Sequence, residues 1–144
     1  MSSIHLTSEK ALESLVEELD KLLSNRDVVL LKGPMGVGKT SFTKALLSHY
    51  GCAEAVSPTF ALHNEYKTNR GVVDHLDLYR LESEEELEGI GFWDLFAKKS
   101  GLILIEWPER IPDGQLPKVW SQISIELEFV PGDDQARRGS IEKL

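Results

Sequence analysis

A single cysteine, Cys52, leaves this chain unable to close an internal disulfide, and no second cysteine is present to build a zinc site. The four histidines, His5, His49, His63 and His75, include no pair at the spacing that metal ligands on one element require. No apolar run approaches the roughly 20 residues of a membrane span, so no membrane association is expected. Met1-Ser2-Ser3-Ile4-His5 lacks the basic patch and apolar stretch of a secretory signal. Together these absences predict a cytoplasmic protein. Positive charge is also scarce: 16 Lys and Arg stand against 24 Asp and Glu, giving a net charge of −8. Such a surface opposes direct, autonomous binding of a phosphate backbone. The adjacent basic pairs, Lys98-Lys99 and Arg137-Arg138, read as solvated surface features.

What remains is ordinary globular material, with 41% hydrophobic and 28% charged residues in 144. That length suits one domain with one core. Thr7 is placed to cap a helix beginning near Ser8. Leu12, Leu15, Val16, Leu19, Leu22 and Leu23 follow at helical spacing, opposite Glu13, Glu17, Glu18, Asp20 and Lys21. Val28-Val29-Leu30-Leu31 is a short unbroken apolar run of the kind found in strands covered on both faces. A glycine-rich loop comes next, then a helical pattern through Phe42, Ala45, Leu46 and Leu47 that closes at Gly51.

Residues 60–66 and 72–79 are strand-like, with a turn around Thr68-Asn69-Arg70-Gly71. Ser83, with Glu86 three residues on, fits a capping box and opens a helix that Gly91 breaks. Residues 92–99 form a candidate second short helix. Leu102-Ile103-Leu104-Ile105 is the second apolar run, ending in Glu106. Prolines 108, 112 and 117 mark a loop, and Trp120 to Val130 alternates as a strand. Pro131-Gly132-Asp133-Asp134 makes a turn, after which the last residues can return as an edge strand. One α/β domain over residues 1–144 follows, with a central mostly parallel sheet flanked by helices and an antiparallel portion.

Gly33-Pro34-Met35-Gly36-Val37-Gly38-Lys39-Thr40 matches the phosphate-binding pattern G-x-x-x-x-G-K-S/T. Its glycines let the backbone curl until successive N–H groups point at phosphate oxygens, and the following helix offers its positive end to the same anion. Lys39 supplies a point charge for the β- and γ-phosphates, and the Thr40 hydroxyl is a hard oxygen ligand for Mg²⁺. Ordinary residue frequencies give such a match roughly one chance in a hundred in a chain of this size. The preceding buried-type strand and the following helix sharpen it. Gly33, Met35, Gly36, Val37, Gly38, Lys39, Thr40 and Ser41 are therefore the expected contacts to ATP.

A P-loop enzyme also needs a carboxylate for the metal and a group that orients water. Parallel strands deliver their C-terminal ends to the nucleotide, which singles out Glu106 after Leu-Ile-Leu-Ile; a charge simply leaving the core is the competing explanation. Asp77, inside His75-Leu76-Asp77-Leu78-Tyr79-Arg80, is unusual in a strand. An exposed place on an amphipathic strand explains it equally, and Asp74 competes for any functional role. The run Glu84-Glu85-Glu86 suits a helix N-terminus better than chemistry. There is no Asn-Lys-x-Asp to read guanine and no Asp-x-x-Gly switch, which argues against a Ras-like GTPase. Few arginines and no evident lid argue against a nucleotide kinase.

Four blocks together resemble a known family, the TsaE (YjeE-type) ATPases of tRNA threonylcarbamoyladenosine synthesis. They are the P-loop, Ser57-Pro58-Thr59-Phe60, His75 to Leu81, and Ile105-Glu106-Trp107-Pro108, with Glu84-Glu85-Glu86-Leu87-Glu88 between the last two. The resemblance implies that Lys39 contacts phosphate, Thr40 ligates Mg²⁺ and Glu106 is the metal-associated carboxylate. It further implies that residues 57–60 form a switch-like loop with Thr59 its working hydroxyl, and that Asp77 is a second acid needed for turnover. Trp107 would stand beside the site and Thr7 near the adenine. Pro34-Met35 departs from the family's usual Asp or Asn with Leu, and removes one backbone donor. Past about residue 110 no family signature is found. By the same resemblance, ATP is hydrolysed on a TsaB–TsaD heterodimer to reset it, without transfer of the carbamoyl group, and tRNA is met only indirectly. The modified base would be the adenosine just 3′ of the anticodon. The rivals are a small P-loop kinase and a non-catalytic nucleotide-gated binding module.

Overall fold

The computed structural model describes residues 2–6, 8–52, 62–112 and 114–144. Thr7 and residues 57–60, Thr59 among them, lie outside the described residues. The first apolar run and the second become neighbouring central strands, β2 (Arg26–Lys32) and β5 (Gly101–Glu106), paired in parallel from Arg26↔Gly101 to Leu31↔Glu106. Both runs lack alternation because both faces of the sheet are covered. Val29, Leu31, Leu102 and Leu104 pack into one core with Leu15, Leu19, Phe42 and Leu46. Val28, Leu30, Ile103 and Ile105 pack into the other, with Leu87, Phe92, Phe96 and Trp120.

The first core is closed by α1 (Glu9–Leu22) and α2 (Lys39–His49). The N-cap of α1 is Ser8, not Thr7: its extended backbone lets the hydroxyl accept from Ala11 N at 3.2 Å. The second core is closed by α3 (Glu84–Gly89) and a 3₁₀ helix over Trp93–Ala97, on the expected side of Gly91. Ser83 does stand at the N-cap of α3, but its side chain makes no capping hydrogen bond.

β3 (His63–Thr68) and β4 (Gly71–Asp77) form the expected hairpin, β3 running two residues further than the alternation suggests. β6 begins at Ser121 and ends at Val130. Trp120 does not join it. Its indole Nε1 instead donates to Phe96 O at 2.9 Å, fixing the 3₁₀ helix to the sheet. Among the described residues seven strands run in the order β1-β7-β6-β2-β5-β4-β3, with β1 (Ser2–Leu6) and β7 (Asp133–Lys143). The four central strands are parallel, with antiparallel strands on both sides. The returning C-terminal strand is thus not the edge. β1 covers it, from a stretch too short to announce itself by alternation.

Alternation also separates the two aspartates of β4. Asp74 points away from α1 and α2, fully buried, and accepts from Lys98 Nζ at 2.8 Å while His63 Nε2 lies 2.8 Å away. Burial alone would raise its pKa, but these two partners hold the carboxyl below its ordinary value of 3.8. A depressed carboxylate stabilises the fold above its unfolded pKa and loses that contribution as pH falls through the folded one. Asp74→Asn is therefore expected to destabilise the protein by about 1–3 kcal/mol at pH 7, a gap that narrows below pH 3.8. Urea titrations at both pH values check this. Asp74 is a structural residue.

Candidate nucleotide site

Three strand ends meet at one edge of the parallel core. β2 feeds the loop at residues 33–38 that opens α2, β5 ends in Glu106, and β4 ends in Asp77, paired with Glu106. Met35, Gly36, Gly38, Lys39, Thr40, Asp77, Tyr79, Glu106 and Trp107 line a common cavity of about 270 Å³. Five of the eight expected P-loop contacts, together with Trp107, thus share it with both expected acids.

The loop owes its path to its glycines. Gly33 has φ +152°, and a Cβ there would stand 2.7 Å from Leu127 O and 2.8 Å from a Val37 methyl. No larger residue fits, because the backbone oxygen cannot yield. Gly38, at φ +115°, makes the left-handed step into α2. Val37 turns its side chain into the core, which leaves only its backbone for a ligand. Ser41 lies one step round α2 and lines a different groove, between α1 and α2.

Lys39 is buried to 6% exposure. Its Nζ donates to Gly33 O at 2.7 Å and sits 3.5 Å from the centroid of the Trp107 ring. Burial pushes its pKa down, and the carboxylates of Glu106, Asp77 and Glu109 oppose that push. A bound phosphate would add the counter-charge that the buried ammonium lacks. Trp107 itself adopts φ 60°, ψ 51°, the one non-glycine residue at positive φ among those described. That conformation costs about 1–3 kcal/mol. It turns the chain sharply at the end of β5, so that the indole covers Lys39 and meets the Tyr79 ring at 5.1 Å.

Glu106 is 4% exposed and accepts from His75 Nε2 at 2.6 Å. His75 is itself buried, and among the described residues its Nδ1 has no partner. With one oxygen held by His75, the Glu106 side chain has a fixed direction. Sequence reasoning assigned His75 no role, although it shares the face of Asp77 two residues on. Asp77 is half-buried, and its Oδ1 accepts from Tyr79 N at 3.1 Å.

The donor set suits Mg²⁺ with a nucleotide. The exposed Thr40 hydroxyl and the carboxylates of Glu106 and Asp77 are hard oxygens in one cavity. Magnesium takes one or two such oxygens beside phosphates and water and needs no all-protein cage. Among the described residues no helix is long and apolar enough to cross a membrane.

The family model for threonylcarbamoyl adenosine biosynthesis protein TsaE matches residues 6–138. The tRNA threonylcarbamoyladenosine biosynthesis protein TsaE of Rickettsia felis is 39% identical over 139 residues, 94% of this chain and 77% of that protein. The Aquifex aeolicus protein of the same description is 38% identical over 113 residues, 76% of this chain and 79% of its own length. Among solved structures, Bacillus subtilus YdiB superposes with a TM-score of 0.73 at 26% identity, covering 97% of this chain and 83% of that one. The family match and the Rickettsia felis likeness extend past residue 110, where no signature was legible. The chain belongs to the TsaE family of tRNA threonylcarbamoyladenosine biosynthesis.

Proposed function

We propose that this member is a Mg²⁺-dependent ATPase that acts with a TsaB–TsaD complex in modifying the adenosine beside the tRNA anticodon. The observation that carries the ATPase reading is the convergence of Lys39, Thr40, Asp77 and Glu106 on one cavity at the P-loop. The backbone N–H groups of the loop and the α2 N-terminus hold the phosphates, and Lys39 stabilises charge that builds on the γ-phosphoryl oxygens. Thr40 and Glu106 would hold Mg²⁺, which supplies charge neutralisation between the β- and γ-phosphates when bound. Asp77 or Glu106 orients a water for in-line attack, giving ADP and inorganic phosphate.

The cavity is small, and exposed Met35 and Tyr79 stand at its rim. A partner covering that rim would exclude water and fix the groups around the γ-phosphate, so turnover by the isolated chain is expected to be slow. Hydrolysis would reset the complex between cycles and leave the carbamoyl transfer to the partners. The net charge of −8 suits a protein that reaches tRNA through them. The test follows the γ-phosphoryl group of labelled ATP. Its release as inorganic phosphate supports the proposal. Transfer to an added small acceptor would favour a kinase, and tight binding without turnover would favour a nucleotide-gated module.

A further inference from the structure

The last strands of the chain carried no motif, yet they touch the phosphate loop twice. Leu127 O of β6 is the atom that Gly33 must clear. From β7, the Arg137 Nε donates to Val37 O at 3.2 Å, across a separation of 100 residues. The guanidinium is fixed on its other sides as well. Its Nη1 donates to Asp134 O at 2.8 Å and Ala136 O at 3.0 Å, and its Cζ lies over the Phe129 ring, 4.4 Å from the centroid. Phe129 is the direct cross-strand partner of Arg137 on β6, so sheet register places this stack.

The consequence lies in the peptide that Arg137 holds. Val37 O belongs to the amide joining Val37 to Gly38, and that amide is planar and trans. Its carbonyl and its N–H point in opposite directions. Drawing Val37 O toward β7 therefore turns the Gly38 N–H away from β7, toward the side of the loop where Gly38 lines the cavity with Lys39. Without an anchor, this peptide can rotate about the bonds on either side of it, since Gly38 tolerates either hand of φ even though the Val37 side chain is held in the core.

We propose that Arg137 is a positioning residue for nucleotide binding, which fixes the Val37–Gly38 peptide so that its N–H is preset toward phosphate. The proposal rests on the nucleotide reading of the P-loop given above. Lysine cannot replace the arginine, because a single ammonium cannot hold the Asp134 and Ala136 carbonyls and the Val37 carbonyl in one plane while stacking on Phe129.

The experiment measures Mg–ATP affinity of the full chain as wild type, Arg137→Met, Arg137→Lys and Arg138→Met, together with the Gly38 amide resonance by NMR. Arg138 is the exposed neighbour on β7, and its replacement removes the same charge without touching the loop. Arg137→Met is expected to weaken ATP binding roughly tenfold, the loss of one charge-assisted hydrogen bond. Arg137→Lys should lose nearly as much, and Arg138→Met less than twofold. The Gly38 amide should shift or broaden in both Arg137 variants without nucleotide, and kcat at saturating ATP should change less than KM. Wild-type affinity in Arg137→Met, or an equal loss in Arg138→Met, would overturn the proposal. Failure of the wild type itself to bind ATP would overturn the nucleotide reading, a distinct result.

Discussion

Lys39→Ala is expected to abolish productive nucleotide handling while leaving the fold in place. Loss of the ammonium removes the point charge for the β- and γ-phosphates. Removing a preorganised donor of this kind costs about 10²–10³ in turnover, and ATP affinity should fall at least about tenfold. The fold is expected to survive for a reason visible at the site. In the absence of nucleotide the ammonium is buried, with Gly33 O and the Trp107 ring as its direct contacts and the carboxylates of Glu106, Asp77 and Glu109 attracting it through space. Its loss therefore removes a burial cost together with those contacts. Thermal melting without ATP checks the fold, and equilibrium binding checks the affinity. Unchanged affinity in a folded Lys39→Ala protein would contradict the P-loop assignment.

Glu106→Gln should separate binding from turnover. The amide oxygen of glutamine accepts from His75 Nε2 in the same place, so the buried pair stays satisfied and the cavity keeps its shape. What disappears is the negative charge beside the phosphates. Turnover is expected to fall by about 10²–10³, while ATP affinity changes by no more than a few-fold. Glu106→Ala is the harsher variant, since it leaves His75 buried with neither ring nitrogen partnered among the described residues. Single-turnover hydrolysis beside a binding titration checks both expectations. Asp77→Asn, measured in parallel, tells which carboxylate orients the water. Near wild-type turnover in Glu106→Gln would remove Glu106 from the chemistry.

Much of the site was legible because its chemistry is local. The P-loop is one continuous octapeptide, and Glu106 is marked by the apolar run before it. The fold's centre was legible for the same reason, since the unbroken runs of β2 and β5 suit strands covered on both faces. What the sequence withheld depends on register between distant segments. Asp74 and Asp77 differ by an odd number of positions, and only the parallel pairing of β4 with β5 says which face meets α2. The His75–Glu106 contact joins two strands 31 positions apart and has no local signal. The Arg137-Arg138 pair read as solvated charge, and half of it is. Arg138 is exposed, whereas Arg137 is turned to the loop by the pairing of β7 with β6. Thr7 and Ser8 are both hydroxyl residues ahead of the same helix, and it is the Ser8 hydroxyl that caps it.

The most direct test is ATP hydrolysis by the purified chain, alone and with a TsaB–TsaD heterodimer. Slow release of phosphate by the chain alone and marked stimulation by the heterodimer are expected, the stimulation lost again in Glu106→Ala. Tight ATP binding with no turnover in either condition would contradict the ATPase reading and leave a nucleotide-gated binding module.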